Sequence, residues 1–361
     1  MGLPTIHDVA DHAGVSIATV SRALTGRRRV DPEIVARVTA AAEELGYRPN
    51  ALARGLRRQS TGTIGMVVPG IANPFFAAVV EEIEKVLQES GLDLLLCNSM
   101  GDIELEANRL QILINRRVDG LLVIACDAKR SGPALREASS KVSVVQLDRL
   151  VHGIEADYIG VDDESGISQA LAHLAQQGAR KVQFVSATTV SSTARRRLLS
   201  FRTGAERLGL DTLDPELQAF TADWGIRAAQ KILASGSLPD AIVCGDDAIA
   251  FGVLQGLAAA AIPVPNAVMV TGFDGVPFSA VSNPPLTTVE QPIREIASIA
   301  VRMLDERTHK EFVREPREVL VEPKLIIRAS TDATVSRDSG LKDASGSTLG
   351  STETAHGASL A

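Results

Sequence analysis

The sequence predicts a small all-α head joined to a larger α/β body built from two parallel-sheet subdomains. Three observations carry that expectation. Apolar residues recur at helical spacing through 5–24, on either side of Gly14. From Thr63 onward, short apolar runs alternate with amphipathic stretches. Charge is also divided: residues 1–60 hold nine Arg and no Lys against six acids, a formal +3, which leaves −10 for the rest of a chain whose net charge is −7. A basic head on an acidic body steers one end of a molecule toward a polyanion and keeps the other end away from it. At 361 residues the chain exceeds one ordinary core of roughly 100–200 residues, so two or more units are expected.

In the head, Ile6, Val9, Ala10 and Ala13 mark one helix, and Thr5 with Asp8 three positions on resembles a capping box in which Asp replaces Glu. Gly14 supplies a tight turn, and Ser16 caps a second helix running to Leu24, tied to the first by Val15 and Val20. Asp31, with Pro32 at the first helical position, opens a third helix that stops at Gly46. Two short helices around a Gly turn form either a helical hairpin that merely packs or a helix-turn-helix, whose second helix lies in the DNA major groove. The stretch "NALARGLRRQSTG" that follows is short and basic. A helix of one or two turns does not hold in water alone, so it is expected to order only against DNA or a partner chain.

The runs "TIHDVADHAGVSIATVSRAL", "AAEELGYRPNALARGLR" and "TIGMVVPGIANPFF" resemble the LacI/GalR family of bacterial transcription regulators, with similarity extending from about Thr5 to about Ser330. The resemblance implies a helix-turn-helix DNA-binding domain over 1–48, a hinge segment over 49–61 and an effector-binding and dimerisation body over 62–330; the Ser/Thr/Gly/Ala-rich stretch over 331–361, whose leucines lack heptad spacing, is expected to be a disordered tail. It places Ile17, Ala18 and Arg22 at base-reading positions. Arg22 suits bidentate bonding to guanine, while Ile17 and Ala18 offer only apolar contact, best met by a thymine methyl. Ser16, Thr19 and Ser21 suit phosphates, Thr5 is grouped with them at the head's first turn, and Arg27, Arg28 and Arg29 read either as phosphate contacts or as a solvated run. In the hinge, Leu56 matches the residue that wedges into the minor groove, flanked by Asn50, Ala53 and Arg54.

In the body, "TIGMVVPG", "LDLLLCNS", "DGLLVIA", "VSVVQLD", "KVQFVSA", "DAIVCGD" and "VMVTGFD" read as buried parallel strands separated by crossover helices. Asn73, Asn98, Asp148, Asp246 and Asp274 follow such runs, at the carboxyl strand ends where open α/β sheets bind ligands. The resemblance implies a periplasmic-binding-protein-like arrangement: subdomain 1 over 62–160 and 290–322, subdomain 2 over 161–289 and 323–330. The chain is expected to cross between them near Ile159 to Asp162, Thr287 to Gln291 and Val321 to Leu325. Ligand sits between the two, with Phe75 and Phe76 as an apolar wall, Asp148 and Arg197 as polar contacts, Trp224 stacked on a ring face, and Asp246, Asp274 and Gln291 completing the polar ring. Carboxylates accept from hydroxyls, a guanidinium donates, and an indole covers an apolar face, so the implied effector is a sugar or sugar derivative. Many relatives carry Asn where this chain has Asp246 and Asp163; the second carboxylate that Asp246 sets beside Asp247 either favours a ligand rich in donors or positively charged, or leaves Asp247 to turn inward as a helix cap.

Other classes fare worse. The body alone equally suits an exported sugar-binding protein, and only the head and the absence of a signal-like N-terminus set the two apart. A regulator that needs a nucleobase or other metabolite as corepressor is the other alternative. The six His show no metal-ligand spacing, no Cys pair implies zinc, and "GxSxG" is absent, so no catalytic, cofactor or metal residue is expected. Cys97, Cys126 and Cys244 lie apart in apolar runs, as buried free thiols of a reducing compartment do; a cytoplasmic, nucleoid-associated protein with no membrane partner is expected. One head reads few base pairs, so a homodimer on a pseudo-palindromic double-stranded operator is expected, paired through "NPFFAAVVEEIEKV" and "LQILINRRVDG". Effector binding would reorient the subdomains and thereby alter the paired hinges, most simply in a repressor released by its inducer.

Overall fold

The computed structural model describes residues 4–25, 30–47, 60–308 and 315–332. The expected hinge residues Asn50, Ala53, Arg54 and Leu56, the Arg27–Arg29 run and the tail beyond residue 332 lie outside these.

The head is three helices: α1 (Ile6–Ala13), α2 (Ile17–Thr25) and α3 (Pro32–Glu44). The capping box forms as read, with the Thr5 backbone N–H donating to Asp8 Oδ2 at 2.7 Å and the Asp8 N–H to Thr5 Oγ1 at 3.4 Å. Gly14 ends α1 at φ +63°, a left-handed conformation that costs glycine nothing. Asp31 caps α3 through the N–H of Glu33, with Pro32 next. The core between the three helices is made of small residues, Val9, Ala10, Ala13, Val20, Val38, Ala41 and Ala42, which lets short helices approach closely.

The body holds two sheets. Numbering strands along the chain, β1 (Thr63–Val68), β2 (Asp93–Asn98), β3 (Gly120–Val123), β4 (Ser143–Leu147), β5 (Asp157–Val161) and β12 (Glu318–Val321) form the first, in the order β12-β5-β4-β3-β1-β2, all parallel. The second contains β6 (Lys181–Ala187), β7 (Asp211–Thr212), β8 (Glu216–Gln218), β9 (Ala241–Cys244), β10 (Met269–Asp274), β11 (Thr287–Glu290) and β13 (Lys324–Ile326), in the order β13-β11-β10-β9-β6-β7, with β8 also on β6. Its pairs are parallel except β11 with β13. That exception departs from a purely parallel reading: β13 enters from the other sheet after only Glu322 and Pro323, with no crossover helix to reverse it.

Each sheet is covered on both faces. Two clusters flank the first sheet, one holding Met66, Ile83, Leu122 and Leu304, the other Val67, Leu113, Leu121 and Leu135. The second sheet has Phe184, Phe201 and Phe273 on one face and Trp224, Ile249 and Val253 on the other. The chain passes between sheets three times, at Asp162, at Gln291–Pro292 and at Glu322–Pro323. In "LQILINRRVDG", Leu110 and Leu113 belong to the core of their own subdomain. Cys126 and Cys244 are buried and free; Cys97, on the edge strand β2, is only half-buried.

Candidate ligand cleft and DNA-reading head

Strand ends and helix starts from both subdomains converge on one cavity. From subdomain 1 come Asn73, Phe75, Phe76, Asp148 and Arg149; from subdomain 2, Thr193, Arg197, Phe220, Asp246 and Asp274. Asn73 caps α4 (Pro74–Glu89), accepting the Phe75 N–H on Oδ1 at 2.9 Å, and this places both Phe rings in the first turn with centroids 5.5 Å apart. Asp246 caps α10 (Asp247–Ala259) the same way, accepting the Ile249 N–H on Oδ1 at 2.8 Å. The two caps meet: Asn73 Nδ2 donates across the cleft to Asp246 Oδ2 at 3.2 Å. An amide at 246 that kept its cap would turn a second N–H toward Asn73, so this bridge requires the carboxylate.

Arg197, buried in α8 (Ser192–Leu208), organises the second wall. Its Nε donates to Asp163 Oδ1 at 2.7 Å, and its Nη1 to the Gly245 carbonyl at 2.7 Å and to Asp274 Oδ1 at 3.4 Å, while its Cζ lies 3.6 Å from the Phe273 ring centroid. Gln291 Nε2 donates to Asp274 Oδ1 at 2.8 Å, so Gln291 holds a cavity residue and is not itself among those lining the cavity. Asp148 and Asp274 both have positive φ, +57° and +110°, strain of the kind that persists where surrounding structure fixes a functional side chain. On the first wall, Arg149 is sandwiched 5.3 Å from the Phe76 centroid and 5.9 Å from that of Phe220 and donates to the Ala125 carbonyl at 3.2 Å.

Carboxylates outnumber guanidiniums here, and burial dominates their titration. It pushes Asp246 up to about 6 and Asp163 up to about 6, the latter despite the Arg197 pair, and raises Asp148 and Asp274 as well. Burial opposes charge on Arg197, but Asp163, Asp274 and Asp148 together outweigh it and keep the guanidinium protonated. Asp247 turns away from the cleft, accepting the Val276 N–H at 2.8 Å and the Thr288 hydroxyl at 2.5 Å, and burial pushes it up to about 7.

Of the eight expected effector residues, the cavity brings together Phe75, Phe76, Asp148, Arg197, Asp246 and Asp274. Trp224 is a correction. It is buried in the core beneath α9 (Ala222–Ala234), its Nε1 donating to the Ser186 carbonyl at 3.0 Å, because this apolar site also satisfies its one donor. Phe220, a few residues earlier, supplies the aromatic surface at the cleft. Arg149, Thr193 and Phe220 were absent from the sequence-based set. Arg149 had a signal, its place beside Asp148 in "LDR"; Phe220 had none in the periodicity.

In the head, Ser16, just before α2, and Ala18 and Arg22 along it are exposed, Thr19 and Ser21 are partly exposed, and Ile17 packs half-buried against the head core. The Ser16 and Thr19 hydroxyls bond each other at 2.8 Å, and the Thr5 hydroxyl is engaged by Asp8. Among the described residues no helix is long and apolar enough to cross a membrane, and no cluster of His, Cys, Asp and Glu is arranged to hold a metal.

Residues 5–50 match the family described as "Bacterial regulatory proteins, lacI family", and residues 171–331 the "Periplasmic binding protein-like domain". The chain is 33% identical over 332 residues to the ribose operon repressor of Escherichia coli (strain K12), covering 91% of this chain and 100% of that one. It is 34% identical over 336 residues to the HTH-type transcriptional repressor PurR of Aliivibrio fischeri (strain ATCC 700601 / ES114), covering 91% and 98%. The fold superposes on the Lac repressor dimer bound to operator and the anti-inducer ONPF with a TM-score of 0.83 at 24% identity, covering 91% and 99%. A helix-turn-helix head, a cleft between two α/β subdomains and similarity along nine-tenths of the chain converge on one conclusion: this protein belongs to the LacI family of DNA-binding bacterial transcription regulators.

Proposed function

We propose that the chain is a homodimeric repressor that reads a pseudo-palindromic operator through residues 1–48 and is released from it by a pentose-sized sugar, with D-ribose the first candidate. The observation that carries this is the cavity itself. Phe76 and Phe220 face it from opposite subdomains, and the Asp148 carboxylate receives no hydrogen bond from the described residues. Apolar walls with unspent acceptors and guanidinium donors suit a small ring bearing hydroxyls. The ribose operon repressor among the relatives supports the same class.

Dimerisation is supported by exposed apolar side chains on both subdomains: Ile71, Leu96 and Met100 around the β2 edge, and Phe278 and Val281 beside a groove floored by Phe251 and Leu254. Residues 49–61 serve as the hinge, with Leu56 as its wedge, and the protein works in the cytoplasm without catalysing a reaction. The test is calorimetric titration of the purified protein with D-ribose, other pentoses, hexoses and nucleobases, followed by operator titration with the best binder. Binding of a pentose with loss of operator affinity is the expected result. A tight binder that leaves operator affinity unchanged refutes the switch, and a nucleobase that tightens operator binding replaces the inducer reading with corepression.

A further inference from the structure

The chain enters the body through one carboxylate. Asp119, in the turn between α5 (Ile103–Asn115) and β3, accepts the Thr61 N–H on Oδ1 at 2.7 Å, the Gly62 N–H on Oδ2 at 2.7 Å, and the Ser60 and Thr61 hydroxyls at 2.7 and 3.1 Å. The Thr61 hydroxyl also donates to the Arg117 carbonyl at 3.1 Å, and the Asp119 N–H donates to the Thr63 carbonyl at 2.8 Å. Residues 60–62 are the first described residues after the 48–59 stretch that leads from the head. All three are held by Asp119, with charge-assisted bonds that are stronger than neutral ones.

The other end of the same strand touches the cleft. β3 lies inside the first sheet, between β1 and β4; Asp119 immediately precedes it, and Ala125 and Cys126 follow it by two and three residues, their carbonyls accepting Arg149 Nη1 at 3.2 and 3.5 Å. Six residues of extended chain span roughly 20 Å. The wall that carries Arg149 and the clamp that carries the chain from the head are therefore opposite ends of one buried, rigid element.

We propose that Asp119 is the positioning residue through which the body fixes the spacing of the two DNA-reading heads, an inference that rests on the dimeric operator-binding reading above. Two heads on well-anchored tethers present the second half-site contact at high effective concentration; a loosened tether dilutes it. The second subdomain supplies a matched control. Asp240, at the amino end of β9, accepts the N–H groups of Arg180 and Lys181 at 2.7 and 2.8 Å where the chain enters β6, the same device with no head attached.

The experiment compares wild type, Asp119→Asn and Asp240→Asn on three duplexes: an operator selected by wild type from a random pool, a single half-site of it, and a scrambled sequence, with thermal melting in parallel. Asp119→Asn should weaken full-operator binding by about tenfold or more while half-site and scrambled binding stay within about twofold. Asp240→Asn should leave all three unchanged at a comparable loss of melting temperature. Equal full-operator binding by both variants, or equal losses in both, overturns the role of Asp119. Failure of wild type to select any duplex removes the operator-binding reading and this inference with it, a result distinct from the first because it is seen without any variant.

Discussion

The two walls of the cleft are built on different plans. In subdomain 2, Arg197 is held by Asp163, Gly245 and Asp274, Asp274 is held again by Gln291, and Asp246 is fixed as a helix cap. Behind them α9 and α10 touch backbone to backbone: a Cβ on Gly225 would sit 2.1 Å from the Ile249 carbonyl oxygen, and one on Gly252 1.9 Å from that of Ala222. In subdomain 1 the Asp148 carboxylate receives no hydrogen bond from the described residues; its nearest cation is Arg149 Nε at 3.7 Å, and that Nε has no hydrogen-bond partner. Subdomain 2 thus offers a preorganised reader, and subdomain 1 an adaptable face whose sheet also carries the Asp119 clamp.

The largest expected effect comes from breaking the reader. Arg197→Met leaves Asp163 and Asp274 buried without their cation, a loss of about 3–5 kcal/mol for a broken buried pair. D-ribose binding, followed by calorimetry, should disappear. Arg149→Met in the adaptable wall should lower the melting temperature less, since no carboxylate is in hydrogen-bonding distance of it. Arg197→Lys keeps the charge but not the planar fork, so it should fold better than the Met variant and still bind poorly. Equal destabilisation by the two Met variants would erase the distinction between the walls.

A second pair of variants separates the cleft from the core behind it. Phe220→Ala removes a cavity wall and should weaken D-ribose binding by roughly tenfold, with the cost of a lost aromatic contact. Trp224→Phe strands the Ser186 carbonyl, an expected loss of about 1–3 kcal/mol in thermal or denaturant unfolding, and should leave binding within twofold. The reverse pattern would return Trp224 to the cleft.

The exchange of Phe220 for Trp224 shows where sequence reading reaches its limit. The fold was legible because it rests on repeating signals: small residues around Gly14, apolar runs at strand length, and caps such as Thr5 and Asp31 whose geometry is local. Polar cleft residues were legible for a related reason, since Asp148 and Asp246 follow strands, Asp274 ends one, and strand ends face the ligand side. Whether an aromatic on the turn into a helix points to the cleft or to the core depends on a rotation that no periodicity encodes. Trp224, third in α9, is carried under the sheet, while Phe220 stays before the helix on the open side. The Asn73–Asp246 bridge and the Asp119 clamp were equally hidden, as each joins residues far apart in sequence.

The smallest expected effect concerns how the two halves respond to pH. Asp247 is buried behind the reader, and desolvation raises it to about 7, with Asp246 and Asp163 raised to about 6. A carboxyl whose folded pKa lies above its unfolded value binds its proton more tightly when folded. Its contribution to stability is therefore full below the ordinary value near 3.8 and is lost as pH rises through 6 to 7. Asp157 in subdomain 1 has the opposite sign: burial raises it, but hydrogen bonds from Arg307 and Arg317 more than compensate and lower it, so its contribution is lost on acidification. Asp247→Asn preserves the local bonds, since the amide oxygen accepts from Val276 while the amide nitrogen donates to Thr288. Melting temperature followed from pH 5 to 8 should fall less steeply in this variant than in wild type, with the relative gain greatest at pH 8. Two parallel curves would mean that Asp247 is ionised throughout, and that the second subdomain pays no penalty for the carboxylates packed behind its reader.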